Sequence, residues 1–328
     1  MTMPGRTRSG TATRGDSALN PDDVQTRPQG LVKRLVIALA VVVLAGGIAL
    51  SACEASPVAI LPAAPLTSRL DYQTSDFTQW TEQHVHRSEQ EAIVTSPART
   101  GYPHTARFVV APGDYTNGGT TAERSEVMAS IAQTGNPAQG RTMWFAWSTF
   151  IPAGTQVDSD ATSPGGNGWL VFSQWHGTAN SGPGPNIGFA LTKGTSTPHL
   201  ILGTNGGSGS GTRSQWVQST ALPLGQWVDF VVGITWGTSS SLGRMTVKTN
   251  GTTWLNKAPS ANLYPGQSAY FKQGIYRASS AQTQTIYHTG ARIGPTEESV
   301  TRETCMTSPG TDVPILGYFR RLACRWRS

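Results

Sequence analysis

The run Trp227-Val228-Asp229-Phe230-Val231-Val232-Gly233-Ile234-Thr235-Trp236 decides the fold class. Its even-numbered positions from 228 to 234 are all apolar, whereas the odd-numbered positions mix polar, aromatic and small residues. A period of two with one apolar face is typical of an antiparallel strand that buries one side and exposes the other. The run therefore predicts a half-buried strand in a sheet protein.

Neighbouring segments repeat this signal. Asn250-Gly251 separates Arg244–Thr249 from Thr252-Thr253-Trp254, and Asn-Gly between two β-patterned runs predicts a tight hairpin. The other candidate strands are Ala106–Val110, Ala122–Ala129, Thr142–Phe150, Trp169–Trp175, Ile187–Thr192, His199–Leu202, Gln215–Ser219 and Ile286–Ile293. Because no helical run of convincing length and no internal repeat occurs, we expect an all-β protein, either a β-sandwich or a jelly roll.

Composition supports this expectation. Only 13% of the 328 residues are charged and 37 are glycine, which favours a turn-rich β protein of one large domain or two smaller ones. The formal net charge of +6 is compatible with an anionic partner. Its basic residues are too scattered for a nucleic-acid interface, where they cluster on one face, so we expect no nucleic-acid partner.

The N-terminal region has the features of an export signal. Arg27, Lys33 and Arg34 precede the apolar run Leu35–Leu50, which is short for a membrane span but suits a signal peptide. Small residues then lead to Cys53, which resembles the cleavage box of bacterial lipoproteins. The expectation is an extracellular protein anchored to the cell membrane by lipid on Cys53, with ordinary signal cleavage and secretion as the alternative.

Four segments follow from these signals. Residues 1–53 form an N-terminal extension with a lipoprotein-type signal, and 54–70 an Ala/Pro-rich linker. Residues 71–300 form the β domain, and 301–328 a C-terminal tail. Outside the cytoplasm the pair Cys305 and Cys324 predicts a disulfide in that tail, with two free thiols as the alternative.

Three β-patterned segments carry groups that could perform chemistry. Arg124 and Glu126 share one face of their strand, and Gln174 and His176 share a face with Trp175 on the other. Arginine suits two-point binding of a carboxylate, and imidazole can transfer a proton near neutral pH. In the third segment, Tyr270–Tyr276, the alternation places Lys272 on the face of the two tyrosines.

In this order the motifs Arg-Ser-Glu, Gln-x-His and Tyr-Phe-Lys-x-Gly-x-Tyr resemble the jelly-roll polysaccharide lyases. This group includes alginate lyases, glucuronan lyases and the heparin-lyase-I-like enzymes. Further similarity lies in Gly225–Val232, in the hairpin Gly243–Gly251 and in Ile286–Gly294, so the resemblance spans roughly residues 77–294. It implies an all-β jelly roll, a two-sheet antiparallel sandwich of the concanavalin type. It also implies β-elimination on a uronate polysaccharide, which leaves a 4,5-unsaturated uronate end.

The resemblance also implies residue roles. Arg124 and Gln174, with His176 as a third candidate, would neutralise the uronate carboxylate and so acidify the C5 proton. His176 or Tyr276 would take that proton, and Tyr276 would protonate the departing C4 oxygen. Lys272, Glu126, Trp175 and Arg277 are expected to contact substrate. The last two differ from the usual alginate lyase pattern and favour a glucuronan-like chain.

No required cofactor is expected. A structural Ca²⁺ occurs in some relatives, and the sequence leaves it open, although no run has the alternating Asp pattern of an EF-hand loop. We expect a monomer whose partner is an acidic polysaccharide. Two other functions remain open: a non-catalytic carbohydrate-binding sandwich, and a glycoside hydrolase, which needs two carboxylates flanking the scissile bond.

Overall fold

Strands make up most of the chain that the computed structural model describes, namely residues 64–115, 122–157, 169–178, 184–192, 195–208 and 211–301. In chain order the strands are β1 Ser68–Leu70, β2 Glu82–Val85, β3 Glu91–Val94, β4 Thr105–Val110, β5 Ala122–Met128, β6 Thr142–Phe150, β7 Leu170–Gly177, β8 Ile187–Leu191, β9 His199–Gly206, β10 Thr212–Ala221, β11 Trp227–Thr235, β12 Arg244–Thr249, β13 Thr252–Pro259, β14 Ala269–Ala278 and β15 Gln284–Gly294. A 3-10 turn, Ser88–Gln90, and one short helix, α1 Glu297–Thr301, complete the described elements.

The strands form two antiparallel sheets. One sheet has the order β10-β9-β8-β7-β14-β5-β2. The other has the order β13-β12-β11-β6-β15-β4-β3, with β1 added on β15. Strands distant in sequence are therefore neighbours, as in β5, β14 and β7, and this pairing brings together the three segments with chemically active groups.

Aromatic side chains fill the space between the sheets. Trp147 of one sheet stacks on Phe230 at 5.0 Å between ring centroids, and Trp175 of the other sheet packs against Phe145 at 4.8 Å. In β11 the alternating positions from Val228 to Ile234 are buried, because they face this core. The alternation in the sequence therefore reflects one face of the strand that is buried in the core and one that is partly exposed to solvent.

The predicted all-β jelly roll is confirmed. The run Thr142–Phe150 and the Asn250-Gly251 hairpin also lie where the sequence predicts them. Strands β1, β2 and β3 were not predicted, because each has only three or four residues and shows no clear alternation.

Several predictions fall on residues that the structure does not describe. These are lipidation of Cys53, the export signal, the linker up to residue 63 and the Cys305–Cys324 disulfide, which stay predictions. No helix in the described parts of the chain is long and apolar enough to cross a membrane.

Candidate active site

The three motifs meet on the outer face of the seven-stranded sheet. Strand β14 lies between β5 and β7, and its Lys272 stands directly opposite Gln174 of β7. Further along β14, Tyr276 stands opposite Arg124 of β5. Side chains of directly opposite residues lie on the same face of a sheet. Strand pairing thus brings together groups that are about 150 residues apart in sequence.

Glu126 is the centre of the resulting cluster, and only 2% of its surface is exposed. Its Oε2 atom lies 2.5 Å from the Lys272 ammonium and 3.1 Å from Arg124 Nε, while Gln174 Nε2 donates to its Oε1 atom. Two cations thus surround one anion, which leaves a formal excess of one positive charge. An excess charge in a poorly hydrated place favours binding of a second anion.

Burial affects the lysine of this cluster. It lowers the pKa of Lys272, whereas the adjacent Glu126 carboxylate opposes that change. At 2.5 Å the pair is an ion pair supported by a hydrogen bond, so the ammonium is held against the carboxylate.

Tyr276 lies at one end of the cluster. The guanidinium carbon of Arg124 is 4.3 Å from the centroid of the Tyr276 ring, and the ring of Trp169 packs on it at 4.5 Å. Arg124 therefore connects the charged centre to the phenol through a cation–π contact. This contact fixes the ring beside a positive charge.

Glycine at position 274 is needed for this arrangement. Gly274 has a φ of 137°, and a Cβ atom there would collide with the Ser125 carbonyl oxygen of β5. The register of β14 against β7 shifts between Gln273 and Tyr276, which is a bulge. The glycine of the Lys-x-Gly-x-Tyr motif thus allows the backbone conformation that spaces Lys272 from Tyr276.

His176 lies on the other side of the Lys272–Gln174 pair. Its Nδ1 atom is 3.1 Å from the Gly177 carbonyl oxygen, which can only accept a hydrogen bond. Nδ1 therefore carries the proton and Nε2 keeps its lone pair. Burial is the main cause that lowers the pKa of His176, and the charge of Lys272 adds to it. The neutral ring is the form that a general base requires.

His84 is a member of this face that the sequence did not reveal. It lies on edge strand β2 directly opposite Glu126. Its Nε2 atom is 2.9 Å from a Glu82 carboxylate oxygen, and burial followed by the charge of Lys272 lowers its pKa. Strand β2 has four residues without apolar alternation, so no periodic signal marked it.

Two predicted substrate contacts are wrong. Trp175 is fully buried and packs at 4.8 Å against both Phe145 and Phe271. Arg277 is 1% exposed and pairs with Glu123, its Nε and Nη2 atoms 2.9 and 2.7 Å from the carboxylate. Along their strands both residues alternate with the residues of the cluster, so their side chains face the core. The structure therefore separates them from the cluster around Glu126.

The described residues contain no group of three or more His, Cys, Asp and Glu side chains that could hold a metal ion. At the centre of the site lies the Glu126 carboxylate, which Lys272, Arg124 and Gln174 bind. A second carboxylate, Glu82, lies on edge strand β2 beside His84.

A comparison with known protein families finds a match over most of the β domain. The family model described as polysaccharide lyase matches residues 72–292. Among curated proteins, no sequence matches the chain.

Solved structures with a similar fold include three lyases. The endo-β-1,4-glucuronan lyase of the fungus Trichoderma reesei is 14% identical over 72% of this chain and 98% of its own, with a TM-score of 0.55. An alginate lyase from a Chlorella virus is 14% identical over 70% of this chain and 100% of its own, with a TM-score of 0.48. An alginate lyase from Pseudomonas aeruginosa is 17% identical over 65% of this chain and 97% of its own, with a TM-score of 0.44.

Proposed function

The chain belongs to the polysaccharide lyase family, and we propose that it cleaves a uronate polysaccharide by β-elimination. Members of the family are carbon–oxygen lyases that act on polysaccharides. The observation that carries the proposal is the buried excess positive charge around Glu126. A uronate carboxylate is an anion that this excess would bind. Binding it there would also place the adjacent C5–H bond within the cluster.

The proposed chemistry begins with charge neutralisation. Arg124, Lys272 and Gln174 would stabilise the negative charge that spreads onto the carboxylate when the C5 proton leaves. A preformed, poorly hydrated set of donors is effective here because it needs no reorganisation during the reaction. The same groups therefore acidify the proton and stabilise the enolate-like intermediate.

Proton transfer would involve the two groups that flank this centre. His176, neutral and with its Nε2 lone pair available, would accept the C5 proton. The C4–O bond then breaks as the C4–C5 double bond forms, and the Tyr276 phenol would donate its proton to the departing oxygen. Arg124, against the Tyr276 ring, would stabilise the charge left on that phenol. If the C5 proton and the C4 oxygen lie on the same side, Tyr276 would perform both transfers.

A glucuronan-like chain is our preferred substrate. Support comes from the resemblance of Gln174-Trp175-His176 to the glucuronan and heparin-lyase-like branch rather than to alginate lyases. Trp175 faces the core, so it would act on specificity only by shaping the strand that carries Gln174 and His176.

The test is ultraviolet absorbance of the conjugated product during incubation with polyglucuronate, alginate and heparin. Tyr276→Phe and His176→Ala should each lower the rate by at least about 10²-fold, since each removes a proton-transfer group. Tyr287→Phe is a matched control because Tyr287 lies in the other sheet, against Phe150.

Other outcomes would redirect the assignment. New reducing ends without an absorbance gain would indicate a hydrolase. Binding of a polyuronate without any cleavage would indicate a carbohydrate-binding module. Near wild-type rates in both Tyr276→Phe and His176→Ala would refute the proton-transfer roles.

A further inference from the structure

A cavity opens between β2 and β3, which are the edge strands of the two sheets. Gln83 of β2 stands opposite the core residue Val127, so it points between the sheets and away from the cluster around Glu126. Glu91 of β3 stands opposite the core residue Phe108 and points into the same space. The volume of this edge cavity is about 620 Å³, which is within the usual range of sites for small ligands.

Two buried side chains that line the edge cavity each have a polar atom without a partner. Trp80 is 5% exposed, and no described residue accepts a hydrogen bond from its Nε1–H group. Glu91 is 7% exposed, and Gln83 Nε2 donates to its Oε2 atom at 2.8 Å. Its Oε1 atom has no donor among the described residues. Buried polar groups are nearly always hydrogen-bonded, so a ligand that pairs with both atoms would be favoured.

The charges around the edge cavity exclude an anionic ligand. Its described lining includes three carboxyl groups, those of Asp76, Glu82 and Glu91, and no lysine, arginine or histidine. The Asp76 carboxylate accepts from the Thr78 hydroxyl, and the Glu82 carboxylate lies 2.9 Å from His84 Nε2. A uronate would therefore meet like charge here without a cation to bind it.

The remaining carboxyl group favours a neutral ligand over a cation. Burial is the main cause that raises the pKa of Glu91 to about 7, so this carboxyl is partly protonated at neutral pH. A carboxyl that has lost part of its charge attracts a cation only weakly. It can still form hydrogen bonds with a hydroxyl group in either protonation state.

Apolar side chains complete the lining of the edge cavity. Phe77 packs edge-on against Tyr72 and Phe108, at 6.0 and 6.2 Å between ring centroids, and Ile93 of β3 stands opposite Ala106. Phe77 and Ile93 are only partly buried, so each leaves apolar surface in the cavity. A sugar ring presents C–H groups on its faces and hydroxyl groups at its edge. Because a hydroxyl both donates and accepts, such a ring matches the apolar surface, the unpaired donor and the unpaired acceptor together.

We propose that the edge cavity, lined by Phe77, Trp80, Glu91 and Ile93, binds a neutral sugar unit. Hydroxyl groups of this sugar would accept from Trp80 Nε1 and donate to Glu91 Oε1. The proposal does not depend on the proposed lyase function. It gives the protein a second carbohydrate site, which selects neutral sugars where the cluster around Glu126 selects uronates.

The test measures binding of the methyl glycosides of glucose, galactose, mannose, xylose and rhamnose. Saturation-transfer NMR detects binding, and calorimetric titration gives the Kd. We expect at least one of these neutral glycosides to bind the wild type. Trp80→Phe keeps an aromatic ring and removes only the Nε1–H donor, so it should weaken that binding by about 5-fold or more, as for the loss of one hydrogen bond.

Trp236→Phe is the matched control. Trp236 is also buried and its Nε1 atom also has no partner among the described residues, but it follows β11 and does not line the edge cavity. Both replacements retain a ring and remove an unpaired buried donor, so both variants should fold, which thermal unfolding checks. Trp236→Phe should leave the Kd of the glycoside unchanged.

Glu91→Gln tests the acceptor of the site independently. The amide has the shape of the carboxyl group but offers one acceptor atom fewer, so the same glycoside should bind about 5-fold more weakly. A Kd equal to that of the wild type would refute the contact with Glu91 Oε1.

Three results would overturn the site as a whole. These are no binding of any of the neutral glycosides to the wild type, an equal Kd in Trp80→Phe and the wild type, and an equal loss of binding in Trp80→Phe and Trp236→Phe. Ultraviolet absorbance with polyuronates separates this proposal from the lyase proposal, because Trp80→Phe should cleave the polymer at the wild-type rate. A wild type that binds the neutral glycoside through Trp80 and yields no absorbance gain would retain the site and refute the lyase proposal.

Discussion

Two buried glutamates of β5, three residues apart, belong to ion pairs of different kinds. Glu123 faces the core, where Arg277 binds it at 2.7 and 2.9 Å and the Gly113 amide donates to it at 2.7 Å. Glu126 faces outward, where it meets Lys272 at 2.5 Å and Arg124 at 3.1 Å. The first pair contains one anion and one cation, and the second cluster contains one anion and two cations.

This difference separates a structural ion pair from a candidate site. The pair of Glu123 and Arg277 balances in charge and faces the core, so we assign it to the fold and not to substrate binding. Among the charged groups in direct contact around Glu126 one positive charge is left over, which a substrate carboxylate would compensate, while Glu82 acts on Lys272 only from edge strand β2. Burial alone therefore does not identify the functional carboxylate, because Glu123 and Glu126 are 1% and 2% exposed.

The largest effect expected from this comparison is on stability. Glu123→Ala removes the carboxylate that lies 2.7 Å from the buried Arg277 guanidinium, and an arginine cannot lose its charge. Breaking a buried pair in this way costs about 3–5 kcal/mol of unfolding free energy. Glu126→Ala should cost less, because Lys272 can release its proton when its partner is lost. Denaturant unfolding of the two variants measures both values.

The double variant Glu123→Leu with Arg277→Met is the control. Replacing both charged partners with apolar side chains removes the uncompensated charge, so most of the lost stability should return. A double variant as unstable as Glu123→Ala would show that packing, rather than loss of the carboxylate beside Arg277, lowers the stability.

A second variant gives the cluster around Glu126 the same charge balance as the pair around Glu123. Lys272→Met removes one cation and leaves Glu126 balanced by Arg124 alone, so the excess charge disappears. We expect kcat/KM on a uronate polymer to fall by about 10²-fold, as for the loss of one preformed donor of a charge-stabilising site. Lys248→Met is the control, because Lys248, in β12 of the other sheet, also pairs with a glutamate, Glu297 of α1. Unchanged kcat/KM in Lys272→Met would contradict the role of the excess charge.

The sequence predicted the parts of this site that depend on local alternation. Arg124 and Glu126 share a face, and so do Gln174 and His176, because side chains alternate along a strand whatever lies beside it. The same rule already placed Trp175 on the opposite face. Its expected contact with substrate came from its position within the motif, and the packing of the core excludes it.

What the sequence could not supply is the pairing between strands. The contact of Glu126 with Lys272 depends on β5 and β14 being neighbours, although 146 positions separate the two residues. His84 was missed for a related reason. Its strand, β2, is held at the sheet edge by pairing with β5 rather than by its own four residues, which show no apolar alternation.

The smallest effect concerns the pH dependence of the reaction and links His176 to the same cluster. Burial, aided by the charge of Lys272, lowers the pKa of His176, so the neutral base persists below the ordinary imidazole pKa of about 6.5. As pH falls, kcat/KM should therefore stay constant through that value and decline only below it, when the imidazole gains its proton. Removing a nearby cation raises an imidazole pKa, so Lys272→Met should move this decline to higher pH while Lys248→Met leaves it in place. If kcat/KM declines at the same pH in the wild type and in both variants, the charge of Lys272 does not affect the titrating base. That result would contradict the assignment of His176 as the base.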